Sequence, residues 1–301
     1  MTLDLLQLTE KVKALAIEAG GFIREERNRF NRNVVEKKHA HDYVSYVDKE
    51  SEKRIVTCLK ELLPQAGFIA EEGHGNQFTD QPYCWLVDPL DGTTNFIHNN
   101  APYCVSIALR NHEELLLGVV YEICRDECFW TYKGAPSYLN GKEIHVSQVD
   151  NLDDAFIALG FPYDAETYKP TARRLVEKCY GNVTGLRLLG AAAAELCYVA
   201  AGRFEARIEA LIGPWDIAAG TIILQNAGGT VTDFHGGDSF YSGREVLASN
   251  GKIHPFLLEF VLKCLEKSLK EYLYKCHRYH CFCRFRQEFV INSEPSIVFQ
   301  P

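Results

Sequence analysis

Residues 84–96 read Cys-Trp-Leu-Val-Asp-Pro-Leu-Asp-Gly-Thr-Thr-Asn-Phe, and no other stretch of the chain says as much about function. An apolar run (Trp85, Leu86, Val87) leads directly into Asp88 and Asp91. Two carboxylates three residues apart at the end of a buried strand repel each other and lose hydration. They stay ionised only beside something positive, and a divalent metal is the simplest candidate. Pro89 fixes the backbone angle after the first carboxylate, and Gly92 allows a tight turn after the second. Thr93 and Thr94 then place hydroxyls where an anion on that metal would lie. A strand followed by an ordinary Asp-Gly turn is the plainer explanation. Two aspartates, a proline, a glycine and two threonines in so short a run favour a metal or phosphate site.

The spacing also separates two phosphatase chemistries. Phosphatases of the haloacid-dehalogenase type carry an Asp…Asp-Gly-Thr signature whose aspartates sit two residues apart. On a strand end that spacing points both to one face, one as nucleophile and the other as acid. Here Leu86 and Leu90 stand two residues either side of Asp88. A spacing of three, broken by Pro89, suits metal bridging better than a covalent aspartyl-phosphate.

Other motifs carry weaker signals. Glu71-Glu72-Gly73 ends the short apolar segment Phe68-Ile69-Ala70. Alone it reads as a solvated acidic turn; beside Asp88 in a sheet it would enlarge the acidic site. Trp215-Asp216 follows Gly213-Pro214, which puts Asp216 in the first turn of a helix, where the dipole favours negative charge. Taken singly, that is only a helix-start charge. Gly190-Ala191-Ala192-Ala193-Ala194-Glu195 opens another helix after Arg187. Its small residues let backbone N–H groups approach an anion or a sugar hydroxyl, or let the helix pack tightly on a sheet; composition does not separate the two. Lys37-Lys38 is a solvated pair unless it folds back over the acidic cluster.

The elements that must position these residues follow from periodicity. Leu5, Leu8, Val12, Leu15, Ala16, Ala19 and Phe22 predict an opening helix over residues 3–28. Val34 to Val47, with Tyr43-Val44-Ser45-Tyr46-Val47, predicts a hairpin or strand pair, and Asp48 is expected to cap a helix that Pro64 stops. Antiparallel strands are expected near 103–110, 114–122 and 127–132. After Asp150 strands and helices alternate: strands at 155–160, 184–189, 204–210, 229–234 and 245–249, helices at 165–180, 190–201, from Trp215, and from Pro255 to Tyr274. This is α+β first and α/β afterwards, with a seam near residue 150. Residues 1–150 form the half with most acidic candidates, 151–274 the half with Asp216, and 275–301 an atypical tail.

The whole chain narrows the function classes. Its 301 residues can bury a sizeable core, and 47% hydrophobic with 24% charged residues is ordinary for a globular protein. A net charge of −8 argues against nucleic-acid or anionic-membrane binding. The start lacks the basic region and apolar core of a signal peptide, and no apolar run is long enough to span a membrane. The 11 cysteines show no regular framework, and Cys58, Cys84, Cys104, Cys124 and Cys197 in apolar segments are expected to be reduced core residues. A cytoplasmic location is the expectation.

Taken together, Asp88-Pro89-Leu90-Asp91-Gly92-Thr93-Thr94-Asn95-Phe96, Glu71-Glu72-Gly73, Trp215-Asp216-Ile217-Ala218-Ala219-Gly220 and Asn226-Ala227-Gly228-Gly229 resemble the inositol monophosphatase family, part of the lithium-sensitive, metal-dependent phosphatase superfamily. The resemblance covers residues 5–265. It implies a layered αβαβα sandwich, a homodimer, and roughly two to three Mg²⁺ ions per site. One ion would be held by Glu71, Asp88 and the Leu90 carbonyl, a second by Asp88, Asp91 and Asp216, and a weaker third near Glu71. The implied reaction is hydrolysis of a small-molecule phosphate monoester, foremost myo-inositol monophosphate, by direct attack of a metal-activated water. In the same pattern Thr94, oriented by Asp48, and Glu71 position and deprotonate that water. Gly92 and Thr93 donate to the phosphate, Lys38 and Glu72 lie near the metals, and Asp91, Ala192, Glu209 and Asp216 face the ring hydroxyls. Ala191 departs from the commoner Ser or Thr, which bears on the alcohol rather than on the phosphatase chemistry.

Within the superfamily the alternatives are fructose-1,6-bisphosphatase, NADP(H) phosphatase and 3′(2′),5′-bisphosphate nucleotidase. The nucleotidases fit less well, because many carry Lys and Glu where Thr94-Asn95 stand here. A different class is a regulatory binding protein on the same fold; the complete set of acidic residues argues against a purely non-catalytic role. The tail lies outside the resemblance. Its Cys276-His277-Arg278-Tyr279-His280-Cys281-Phe282-Cys283 run, with Cys264 nearby, hints at zinc. Only one residue separates Cys281 from Cys283, however, against two to four in structural zinc sites, so a frayed tail or docking segment is expected.

Overall fold

The computed structural model describes residues 3–31, 36–39, 42–74, 81–161, 165–240 and 245–265. The opening helix α1 (Leu5–Arg29) starts where the Asp4 carboxylate accepts from the Gln7 N–H, and buries Val12, Leu15, Ala16, Ala19 and Ile23 at helical spacing. Strands β1 (Glu36–His39) and β2 (Asp42–Val44) pair antiparallel, as expected, but β2 ends before Ser45. Ser45 caps α2 (Tyr46–Leu62), and Asp48 is its third residue rather than its cap. The Ser45 hydroxyl accepts from the Val47 N–H, and the Asp48 carboxylate accepts from the Ser45 N–H at 2.8 Å. That reciprocal capping box outweighs the strand preference of Tyr46-Val47.

A seven-stranded sheet follows in chain order: β3 (Ala66–Ala70), β4 (Tyr83–Asp91), β5 (Cys104–Arg110), β6 (Leu115–Glu122), β7 (Glu127–Tyr132), β8 (Ser137–Leu139) and β9 (Lys142–Ile144). Only β3 and β4 run parallel; every other neighbouring pair is antiparallel. Strands β8 and β9 span three residues each, too few for periodicity to reveal. A short helix α3 (Thr93–His98) leaves the sheet directly after β4.

The remaining strands form a five-stranded sheet, ordered β11 (Gly185–Arg187), β10 (Phe156–Leu159), β12 (Ala206–Ala210), β14 (Glu245–Ser249) and β13 (Thr230–Thr232). Strand β10 is parallel to both neighbours, and β14 is antiparallel to both of its own. Helices α4 (Ala165–Cys179), α5 (Ala192–Ala200), α6 (Pro214–Asn226) and a helical stretch over 254–265 complete the architecture.

Side-chain alternation along β4 shows how the layers stack. Trp85 and Val87 face α1 and α2, whose Val12, Ile23, Ile55 and Leu59 share their cluster. Leu86 faces the other way, into a cluster with Leu196 of α5 and Ile217 and Ile223 of α6. That middle cluster also takes Ala158, Val246 and Ala248 from the second sheet, so α5 and α6 lie between the sheets. Accordingly α6 is buried on all sides, with no narrow apolar stripe. Leu175, Leu257 and Val261 cover the far face of the second sheet against Ile157, Leu159 and Ile208. The result is the expected αβαβα sandwich.

Sheet membership changes between Ile144 and Phe156. Among the described residues no helix is long and apolar enough to cross a membrane. Cys84, Cys104 and Cys197 are buried free thiols as expected, whereas Cys58 is half-buried and Cys124 is exposed on a turn. The helix expected to reach Tyr274 is described to residue 265, and the Cys276–Cys283 run lies outside the described residues.

Candidate metal centre

The acidic pair does not sit on a turn: β4 runs through Pro89 to Asp91. Residues at i and i+3 of a regular strand point to opposite faces. Here Asp88 pairs with Ser106 and Asp91 with Cys104, so three steps along β4 match two along β5. Pro89, with no N–H to give the ladder, sits in this bulge, and the extra residue turns both carboxylates toward one cluster. The Asp88 carboxylate accepts from the Leu90 N–H at 2.9 Å across the bulge.

Two other elements complete the cluster. Strand β3 pairs with β4 with Ala70 opposite Val87, and the Glu71 N–H donates to the Val87 carbonyl at 3.1 Å, so Glu71 stands beside Asp88. Asp216 enters from the first turn of α6, where it accepts from the Gly213 N–H at 2.7 Å. It is therefore both a helix-start charge and a member of the site. Carboxylate oxygens of Asp88, Asp91 and Asp216 all lie within 4.8 Å of one another.

Burial raises the pKa of all three aspartates. Burial holds the Asp88 carboxyl well above the ordinary carboxylate range, and the charges of Glu71, Asp91 and Asp216 push it further. Asp216 is pushed up to about 7, first by burial and then by Asp91. Asp91 is also raised by burial, although the Ala193 and Ala192 N–H groups and the Cys104 thiol donate to it at 2.7, 3.0 and 3.3 Å. An all-oxygen donor set this crowded suits a hard divalent cation such as Mg²⁺. The residues fit the ion.

Thr93, not Thr94, meets Asp48. Its hydroxyl donates to Asp48 Oδ1 at 2.7 Å and lies 3.0 Å from the Leu90 carbonyl. The fully buried Asp48 takes the Ser45 N–H and hydroxyl on its other oxygen, and burial raises its pKa. The rotation is set by Gly92, which caps α3 in the left-handed region (φ +90°) and turns the first helical residue, Thr93, back toward α2. A Cβ at Gly92 would also come within 3.0 Å of the Pro102 carbonyl and 3.2 Å of Ala191.

These groups face a cleft of about 480 Å³. Glu71, Asp88, Leu90, Asp91, Gly92, Thr93, Thr94, Ala192, Glu209 and Asp216 all line it. Asp48 stands behind Thr93, and Glu72 is not among the lining residues; its N–H donates to Glu52 at 2.7 Å. Lys38 falls on β1, whose side chains are outside the described residues. At the start of α5, where the sequence left contact with an anion or sugar and tight packing both open, the Ala192 and Ala193 N–H groups donate to Asp91.

A profile of the inositol monophosphatase family matches residues 4–268. The chain belongs to that family. Metal-dependent phosphatase chemistry is the family's character, and the acidic cleft agrees with it. The chain is 35% identical over 255 residues to the Nus factor SuhB of Escherichia coli (strain K12), covering 85% of this chain and 96% of that protein. It is 34% identical over 263 residues to a fructose-1,6-bisphosphatase/inositol-1-monophosphatase of Aquifex aeolicus, covering 87% and 98%. Among solved structures, the extragenic suppressor protein suhB of Bartonella henselae superposes with a TM-score of 0.80 at 32% identity, over 86% of this chain and 98% of that one.

Several further residues hold the site of this inositol monophosphatase family member together, and Ser51, Glu52 and Arg207 among them carry no motif signal. Glu52 is fully buried on α2 and accepts from the Glu72 N–H and from the His74 N–H and ring, fixing the loop that follows Glu71. Ser51 donates to the Pro89 carbonyl at 3.3 Å. Asp48, Ser51 and Glu52 share one helix face at i, i+3 and i+4, a pattern readable in advance as a polar stripe on an otherwise apolar face. Asn95 donates to the carbonyls of Pro102 and Leu189 at 2.7 and 2.6 Å, tying α3 to the loop before α5. Arg207, buried on β12, pairs with both Glu195 and Glu209.

Proposed function

We propose that this protein hydrolyses phosphate monoesters with Mg²⁺ as cofactor, and that myo-inositol monophosphate is its substrate. The observation that carries this is the convergence of the Asp88, Asp91 and Asp216 oxygens within 4.8 Å in a cleft that Thr93 and Glu209 also line. Glu71, Asp88, Asp91, Asp216 and the Leu90 carbonyl would hold the metal. When bound, Mg²⁺ neutralises phosphate oxygens, stabilises the leaving alkoxide and acidifies water.

The chain's own groups do the positioning. A hydroxyl has one proton to give; with Asp48 ionised, Thr93 gives it to Asp48 and turns its lone pairs to the attacking water. Glu71, on the cleft wall, takes that water's proton. The first N–H groups of α3, at Gly92 and Thr93, carry no side-chain cap and face the phosphate. Glu209 and Asp216 accept from hydroxyls of the alcohol, beside Ala192. No cysteine or histidine is required, which fits direct attack by water rather than a phosphoenzyme.

Phosphate release from inositol 1-phosphate, fructose 1,6-bisphosphate, NADP and adenosine 3′,5′-bisphosphate, with and without Mg²⁺ and Li⁺, tests the assignment. Fastest Mg²⁺-dependent, Li⁺-inhibited release from inositol 1-phosphate is expected; faster release from another ester would reassign the substrate. Relatives named Nus factor favour a second possibility, a regulatory binding protein on this fold. Absence of release from all four esters would promote it. A homodimer is proposed as the working assembly, which sedimentation would check.

A further inference from the structure

Four large apolar residues line the cleft yet belong to none of the core clusters among the described residues: Phe161, Leu188, Leu211 and Trp215. Phe161 and Leu188 are 40% and 54% exposed, and Leu211 and Trp215 are half-buried, so all four keep surface that a ligand can cover. Three of them continue neighbouring parallel strands. Leu188 directly follows β11, Leu211 directly follows β12, and Phe161 stands two residues beyond the end of β10, the strand between them. Open α/β sheets bind ligands at the carboxyl ends of such strands.

Leu211 is also strained. Its backbone is left-handed, at φ +57°. The other non-glycine residues described with positive φ are Asn99, Asp126 and Asn140, types that tolerate this region. A leucine there crowds its own backbone, whereas a glycine would hold the same angle freely. Core packing does not account for the leucine, because it joins no core cluster. Strain retained beside a cleft is characteristic of functional positions. With the phosphate fixed at the acidic end, these apolar residues are left to the alcohol. A fully hydroxylated ring offers them little to bury, but an aromatic or aliphatic group loses apolar surface to them. We propose that the cleft also takes phosphate monoesters whose alcohol carries an apolar group, and that Leu211 and Phe161 form the subsite that holds it. The inference rests on the phosphatase assignment and widens its substrate class beyond polyol esters.

Steady-state kinetics on benzyl phosphate and inositol 1-phosphate tests it. The ratio of the two KM values cancels any loss common to both esters, such as a disturbed metal site. Wild-type protein should hydrolyse benzyl phosphate with Mg²⁺. In Leu211→Gly the ratio of KM for benzyl phosphate to KM for inositol 1-phosphate should rise about tenfold, the reach of a leucine's lost apolar contact. The variant should still melt near the wild type, because glycine relieves the strained angle. Leu211→Met keeps an apolar side chain and should hold the ratio within about twofold of wild type. Phe161→Ala should raise the ratio as Leu211→Gly does, and carries the test if the latter does not fold. An unchanged ratio in the folded variants overturns the proposal. So does an equal rise in Leu211→Met and Leu211→Gly, which would tie the effect to a disturbed turn rather than to apolar contact. Wild-type hydrolysis of inositol 1-phosphate but not of benzyl phosphate overturns it as well. Wild-type protein inert on both esters with Mg²⁺ would refute the phosphatase assignment, and the proposal with it.

Discussion

At the scale of single residues, the hydroxyl that meets Asp48 lies one position earlier than the sequence led us to expect. The hydroxyl against Asp48 belongs to Thr93, so Thr93→Ala should lower kcat by about a hundredfold or more, the usual reach of a proton-handling group. Thr94→Ala should change it by no more than about threefold on the same scale. A larger loss at Thr94 than at Thr93, measured by phosphate release, would restore the pairing expected from sequence. Asp91 is the most heavily hydrogen-bonded of the acidic trio, with two amides and a thiol on its carboxylate. Asp91→Asn should abolish most Mg²⁺-dependent turnover while leaving the circular-dichroism spectrum intact. Near-normal hydrolysis by the folded variant would remove Asp91 from the metal site.

At the scale of elements, the bulge in β4 and the cap of α3 do the positioning. Pro89 sits where β4 gains its extra residue, and Gly92 takes a backbone angle that side chains other than glycine adopt only with strain. Gly92→Ala adds that strain to a tight approach on the Pro102 carbonyl. It should destabilise the fold by about 1–3 kcal/mol, seen as a lower urea midpoint with an unchanged m-value. An equal midpoint would show that α3 can start without a left-handed residue. The helix face of Asp48, Ser51 and Glu52 works from the other side, gripping Thr93, the Pro89 carbonyl and the loop after Glu71.

At the scale of the whole molecule, three acidic side chains from distant parts of the chain are held together against their repulsion. Asp216, pushed up to about 7, binds a proton in the folded state over a range where the unfolded chain has released it. The folded state then holds more protons between the ordinary carboxylate value near ~4 and about 7, so stability falls as pH rises through that window. Asp88 and Asp91, also raised, act in the same direction. In metal-free protein the melting temperature should therefore decline across that range, less steeply in Asp216→Asn. Excess Mg²⁺, which binds the ionised carboxylates, should offset the decline. Identical slopes for wild type and variant without metal would contradict the account.

Neighbours along the chain encode the local elements, and these were legible in advance. Helix and strand periods located nearly every long element, and the Asp88–Phe96 and Glu71–Gly73 runs marked where acidic groups leave apolar strands. Three-residue strands carried too little pattern, and the Ser45–Asp48 capping box was hidden inside residues that favour strands. Which distant groups meet depends on packing between elements. Parallel pairing of β3 with β4 sets Glu71 beside Asp88, and the packing of α6 between two sheets delivers Asp216. A bulge puts both aspartates on one side, a left-handed Gly92 selects Thr93 over Thr94, and strand β12 lodges Arg207 between two glutamates. Local periodicity fixes which face a residue occupies on its own element. What that face meets depends on how elements pack, and no spacing along the chain records it.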